Sequence, residues 1–86
     1  MAQARVYSKS WCPYCVRAKQ LLTQLGVAFD EFDVERDPAL LAEMVAASGR
    51  HTVPQIWIGA THVGGCDDLY ALHRSGQLAA LLQDAQ

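Results

Sequence analysis

The 86-residue chain is 51% hydrophobic and 19% charged, with a formal net charge of −2. That length predicts one domain over residues 1–86, with a single core that buries roughly 60 to 70% of the unfolded surface. Mixed, slightly acidic charge gives no support to nucleic-acid binding, and three cysteines do not make the even-numbered framework of a small secreted disulfide scaffold.

ARVYS, residues 4–8, is short, alternating and rich in β-formers, and reads as a first strand. It leads into SKSWCPYCVRAK, residues 8–19, where Pro13 suits the first position of a helix because its missing N–H is not needed there. Ala18, Leu21, Leu22 and Leu25 then recur at helical spacing up to Gly26, which predicts a helix opened by the cysteine pair. VAFDEFDV, residues 27–34, has strand composition, with Phe29 and Phe32 facing opposite sides of a sheet. DPALLAEMVAASG predicts a second helix with Asp37 as N-cap, Pro38 at the first position and Gly49 as its stop. Its apolar residues are Leu40, Leu41, Met44 and Val45.

PQIWI and THVG flank Gly59 and Ala60 in a hairpin pattern. After Gly64 and Gly65, CDDLYALHRSG and QLAALLQDA predict two further helices separated by Gly76. The expected core includes Leu21, Leu22, Leu25, Met44, Val45, Ile56 and Ile58. The order β-α-β-α-β-β-α plus a C-terminal helix predicts an α/β fold with a four-stranded mixed sheet flanked by helices. MAQARVYSKS holds no apolar run of the targeting type, and no window approaches 18 consecutive apolar residues. The expectation is a cytoplasmic chain with no membrane partner, and nothing demands more than a monomer.

Cys12 and Cys15 carry the chemistry. A sulfur just before a helix lies near unpaired N–H groups and the positive end of the helix dipole, which favours the thiolate and predicts Cys12 as nucleophile. Cys15, three residues on and on the same face, is positioned to attack a disulfide formed on Cys12, so it is the expected resolving thiol. The alternatives are packed, inert thiols or half of a zinc site. A four-ligand zinc site needs a second cysteine or histidine pair, and only Cys66, His51, His62 and His73 remain, scattered along the chain. No bound metal or other cofactor is expected.

With CPYC at 12–15 after a strand, TVPQI at 52–56 and GGCDD at 64–68, the chain resembles the dithiol glutaredoxins and is similar to their short bacterial glutaredoxin 3 type. The likeness spans nearly the whole length. It implies a thioredoxin-like fold, with glutathione as co-substrate and disulfide-containing or glutathionylated proteins as partners. It also assigns residues that chemistry alone leaves open. Lys9, by itself an ordinary surface lysine or a carboxylate partner, is implied to take the glycine carboxylate of glutathione. Tyr14, otherwise a solvent-facing aromatic, is implied to lie against the ligand.

Thr52, Val53 and Pro54 read as a strand start, and X-Pro bonds are mostly trans. The resemblance implies a cis proline beside the nucleophile, with the Val53 backbone pairing to the cysteine of glutathione. Gly65 and the N–H groups of Cys66 and Asp67 are implied to hold the γ-glutamyl carboxylate, and the Asp67 side chain the ammonium; Asp67 or Asp68 as a plain helix cap explains the pattern equally well. Cys66 is expected to be a buried or semi-buried small residue and not a third redox thiol. Trp11 departs from the family and resembles the W-C-G-P-C of thioredoxins, and His51 reads as a loop histidine. Two further readings remain: a redoxin served by thioredoxin reductase, and a carrier that holds an iron-sulfur cluster between two subunits through Cys12 and glutathione.

Overall fold

The computed structural model describes residues 2–85. In β1 (Ala4–Ser8) alternation sends Ala4 and Val6 to one face of the sheet and Tyr7 to the other. Pro13 opens α1 (Pro13–Gln24), whose Ala18, Leu21 and Leu22 are buried. β2 (Phe29–Asp33) runs parallel to β1, paired from Ala4↔Phe29 to Ser8↔Asp33. α2 (Pro38–Ser48) is capped by Asp37, whose carboxylate accepts from the Ala39 N–H at 2.9 Å. A hairpin follows, β3 (Gln55–Ile58) and β4 (Thr61–Gly64), and then α3 (Cys66–Ser75) and α4 (Gln77–Asp84).

The strand order is β2-β1-β3-β4, with β3 antiparallel to both β1 and β4. The eight elements follow the expected order in a thioredoxin-like arrangement. Ala4, Val6, Ile56 and Ile58 form one core with α1, α3 and α4 through Leu22, Leu69 and Leu78. Tyr7, Trp57, Val34 and Met44 form the other core, under α2. There Tyr7 packs edge-on against Trp57 at 5.2 Å and at a 31° tilt against Phe32 at 5.1 Å, each pair adding about 0.5 to 1.5 kcal/mol beyond area burial.

Three expectations need correction. Leu25 is not core: α1 ends at Gln24, so Leu25 caps the helix from outside and is 39% exposed. The second strand is shorter than residues 27–34, although Val27 and Val34 just beyond its ends are buried. Val45 is only half-buried, because α2 sends just one fully buried residue, Met44, under the sheet.

The register brings four loops to one end of the sheet. β1 and β2 both finish there, β3 begins opposite Tyr7 at Gln55, and β4 finishes with Gly64 opposite Ile56. Across that end the loops run in the order 33–36, 9–12, 52–54 and 64–65.

Candidate active site

β1 delivers the chain into a turn in which the Cys12 N–H donates to the Lys9 carbonyl at 3.4 Å. Cys12 is then the N-cap of α1. Its backbone is extended (φ −87°, ψ 115°), and its sulfur accepts from the Cys15 N–H at 3.2 Å. This is the contact that stabilises charge on sulfur at a helix start. Both cysteines are free thiols; Cys12 is 8% exposed and Cys15 fully covered. Burial, and after it the hydrogen bond to Cys12, pushes the Cys15 thiol up to about 12, against a smaller lowering by the Lys9 backbone. Cys15 therefore keeps its proton at neutral pH.

The 52–54 loop closes over the sulfur. Val53–Pro54 is a cis peptide, as the family likeness implied, and the Cys12 thiol donates a long contact to the Val53 carbonyl at 3.9 Å. Buried Gln55 fixes this loop from behind. Its amide N–H₂ donates to the Thr52 carbonyl at 3.1 Å and to the Thr52 hydroxyl at 3.3 Å, and its carbonyl accepts from His62 Nε2 at 2.8 Å.

On the far side, β4 turns into α3 through Gly64 at φ +114°, where a side chain would run into the Asp68 carboxylate. Asp68 Oδ2 accepts from the Gly65 N–H at 2.9 Å and from Arg50 Nη1 at 3.3 Å. The Gly65 N–H, with the Arg50 guanidinium behind it, holds the Asp68 carboxyl below the usual carboxylate range although burial acts the other way. Asp68 is thus the residue that caps α3. Asp67, exposed, is left without a hydrogen-bond partner among the described residues. The amides of Cys66 and Asp67 fall in the first turn, where no intrahelical acceptor exists.

These pieces enclose a groove of about 190 Å³ lined by Tyr14, Thr52, Val53, Pro54, Gly65, Cys66 and Asp67, all expected from sequence, and by Arg50, Gln55 and Asp68. Lys9 is half-buried in the adjoining turn, and neither it nor exposed His51 lines the groove. Cys66 is buried in the groove wall, and burial raises its thiol. Arg50 and Gln55 were missed by the sequence reading. A signal for Gln55 was available, since it is the one polar side chain in the run PQIWI. Arg50 carried none, because a cation just after a helix stop is ordinary surface.

Residues 4–63 match the family described as Glutaredoxin. A glutaredoxin of Pseudomonas aeruginosa is 60% identical over 77 residues, covering 90% of this chain and 92% of its own length. Glutaredoxin 3 of Escherichia coli K12 is 53% identical over 83 residues, 96% of this chain and all of its own. Among solved structures, a buckwheat glutaredoxin-glutathione complex superposes with a TM-score of 0.89 at 34% identity, covering 98% of this chain and 79% of the other. Identity at this level along nearly the full length of both bacterial relatives, over a dithiol mounted at a helix start, makes this chain a member of the glutaredoxin family of thiol-disulfide oxidoreductases.

Proposed function

We propose that the chain reduces protein disulfides and protein-glutathione mixed disulfides, with glutathione as electron donor, in the reducing cytoplasm. The observation that carries this is the groove beside the Cys12 sulfur, which joins half-buried Val53 to the open first turn of α3. A short peptide with a carboxylate at its amino end suits both: strand-like pairing to Val53, and the α3 amides for the carboxylate. Asp67 then faces the ammonium, Tyr14 covers the ligand, and Lys9 takes the glycine carboxylate.

In the monothiol route the Cys12 thiolate attacks the glutathione sulfur of a mixed disulfide. A Cys12–glutathione bond forms, the protein–glutathione bond breaks, and the protein thiolate leaves with the electron pair and takes a proton from water. A second glutathione thiolate attacks the glutathionyl sulfur, which releases oxidised glutathione and restores Cys12. On a protein disulfide, Cys12 first joins one protein sulfur; Cys15 then attacks Cys12, freeing the second protein thiol and leaving a Cys12–Cys15 disulfide that two glutathiones reduce.

The order of attack follows from the two thiols' surroundings. Once Cys12 is in a mixed disulfide, its charge and its hold on the Cys15 proton are gone, which removes two of the causes that raise Cys15. Energetics favour glutathione as donor. Glutaredoxins lie at about −200 to −230 mV, near the glutathione pool, and thioredoxin lies near −270 mV, a gap worth about 2 to 3 kcal/mol.

The test is reduction of a small glutathione mixed disulfide coupled to glutathione reductase, for wild type, Cys12→Ser and Cys15→Ser. The expected result is activity in wild type, none in Cys12→Ser and much of it in Cys15→Ser. A wild type that is idle with glutathione yet turns over with thioredoxin reductase would be a redoxin instead.

A further inference from the structure

The order of the loops gives Cys12 two flanks. Toward β3 and β4 lies the polar groove. Toward β2 lies Trp11, whose indole N–H donates to Glu35 Oε2 at 3.0 Å and so ties the ring to the loop that follows β2. Trp11 is 71% exposed and takes no part in lining the groove. Tyr14, 56% exposed, lines the groove, and Val16, 41% exposed, lies with Lys19 and Gln20 along α1, so neither shares the Trp11 flank. A single exposed apolar residue needs no explanation. A tryptophan next to a reactive sulfur, fastened by a hydrogen bond to a residue of another loop, does need one.

The chemistry supplies an occupant. Thiol-disulfide exchange is an in-line displacement at sulfur. With glutathione in the groove and its sulfur under attack, the leaving sulfur lies beyond it, away from Cys12. The polypeptide attached to that sulfur is excluded from the filled groove, and the Trp11 flank lies on the other side of Cys12 from that groove.

We propose that Trp11, held in place by Glu35, is a specificity-determining residue for the protein half of the disulfide and receives an apolar side chain flanking the target cysteine. The proposal rests on the glutathione-dependent reading above. Trp11 supplies a large rigid face, as tryptophan does at the centres of protein interfaces. The Glu35 contact fixes that face in advance, so less side-chain freedom is lost when a partner docks.

The experiment uses glutathionylated 2-mercaptoethanol and two glutathionylated peptides that differ only in having Leu or Ser next to the cysteine. kcat/KM is measured for wild type, Trp11→Ala and Glu35→Ala, which removes the acceptor of the indole N–H. Wild type is expected to prefer the Leu peptide over the Ser peptide by about tenfold, the scale of one interface tryptophan. In Trp11→Ala that ratio should fall to within about twofold, with Glu35→Ala between the two. Equal loss on all three substrates would mean that Trp11 only supports the loop, and the proposal fails. It fails equally if wild type has no preference or if the preference survives in Trp11→Ala. A wild type idle on 2-mercaptoethanol–glutathione sinks the parent reading, and the Trp11 proposal with it.

Discussion

The helix starts of α1 and α3 meet at the same end of the sheet and are finished in opposite ways. In α1 the cap is the reactive atom: Cys12 sulfur takes the Cys15 N–H, and Pro13 removes another donor that would otherwise need a partner. In α3 the cap position is Gly65, which has no side chain, and Asp68 reaches back from inside the helix to the Gly65 N–H. That leaves the next amides and their dipole open toward the groove. α2, closed by Asp37 in the ordinary way, has no such opening. The same physical problem of unpaired N–H groups is thus met by sulfur at α1 and left open toward the groove at α3.

The largest effect should come from replacing the α1 cap itself. Serine is a good N-cap, so Cys12→Ser should keep the helix start and the thermal midpoint while activity falls on the order of 10³-fold or more. Cys12→Ala should lose the activity and about 1 kcal/mol of stability as well. If the two variants melt alike, the sulfur is not acting as a cap. Next comes its neighbour. With its thiol pushed up to about 12, Cys15 is only about 10⁻⁴ thiolate at pH 8. Iodoacetamide should therefore modify it on the order of 10³-fold more slowly than an unstructured cysteine, with Cys12 labelled first. Labelling at the free-cysteine rate would mean that burial does not hold the proton.

Most of this end of the sheet was legible in the sequence because local rules act there. Asp37 and Pro38 start α2, Pro13 starts α1, and glycines mark the ends of α2 and α3. The parts that were not legible are those set by long-range contact. Leu25 fits the helical stripe, yet the helix stops one residue earlier and turns it outward. Asp67 and Asp68 are adjacent and chemically identical, so only the path of the chain from Gly64 decides which one caps. Arg50 reaches the groove through Asp68, 18 residues away, and Trp11 is fixed by Glu35, 24 residues away; neither pairing leaves a trace in sequence spacing.

At the α3 start a smaller effect is expected from Gly64→Ala. The positive φ and the approach of Asp68 both oppose a side chain there, so stability should fall by about 1 to 3 kcal/mol. Glutathione KM should rise more than kcat falls, because the anion seat moves while Cys12 does not. An unchanged KM would separate α3 from ligand binding.

The smallest effect sharpens the comparison most, because it isolates charge. The Asp68 carboxyl is held low, first by the Gly65 N–H and then by Arg50. A group whose folded value is depressed contributes stability above its unfolded value, about 3.9, and loses that contribution as pH falls through the folded one. Asp68→Asn keeps an acceptor for the Gly65 N–H but removes the charge. Wild type should exceed Asp68→Asn in stability at pH 7, by no more than about 1 kcal/mol given solvent screening. The side chain is 48% exposed, which is why the effect is small. Thermal melts from pH 7 down to about pH 2.5 should converge as the carboxylate takes its proton. Melts that stay parallel across that range would assign the cap to geometry alone and leave the charge at the α3 start free for the ligand.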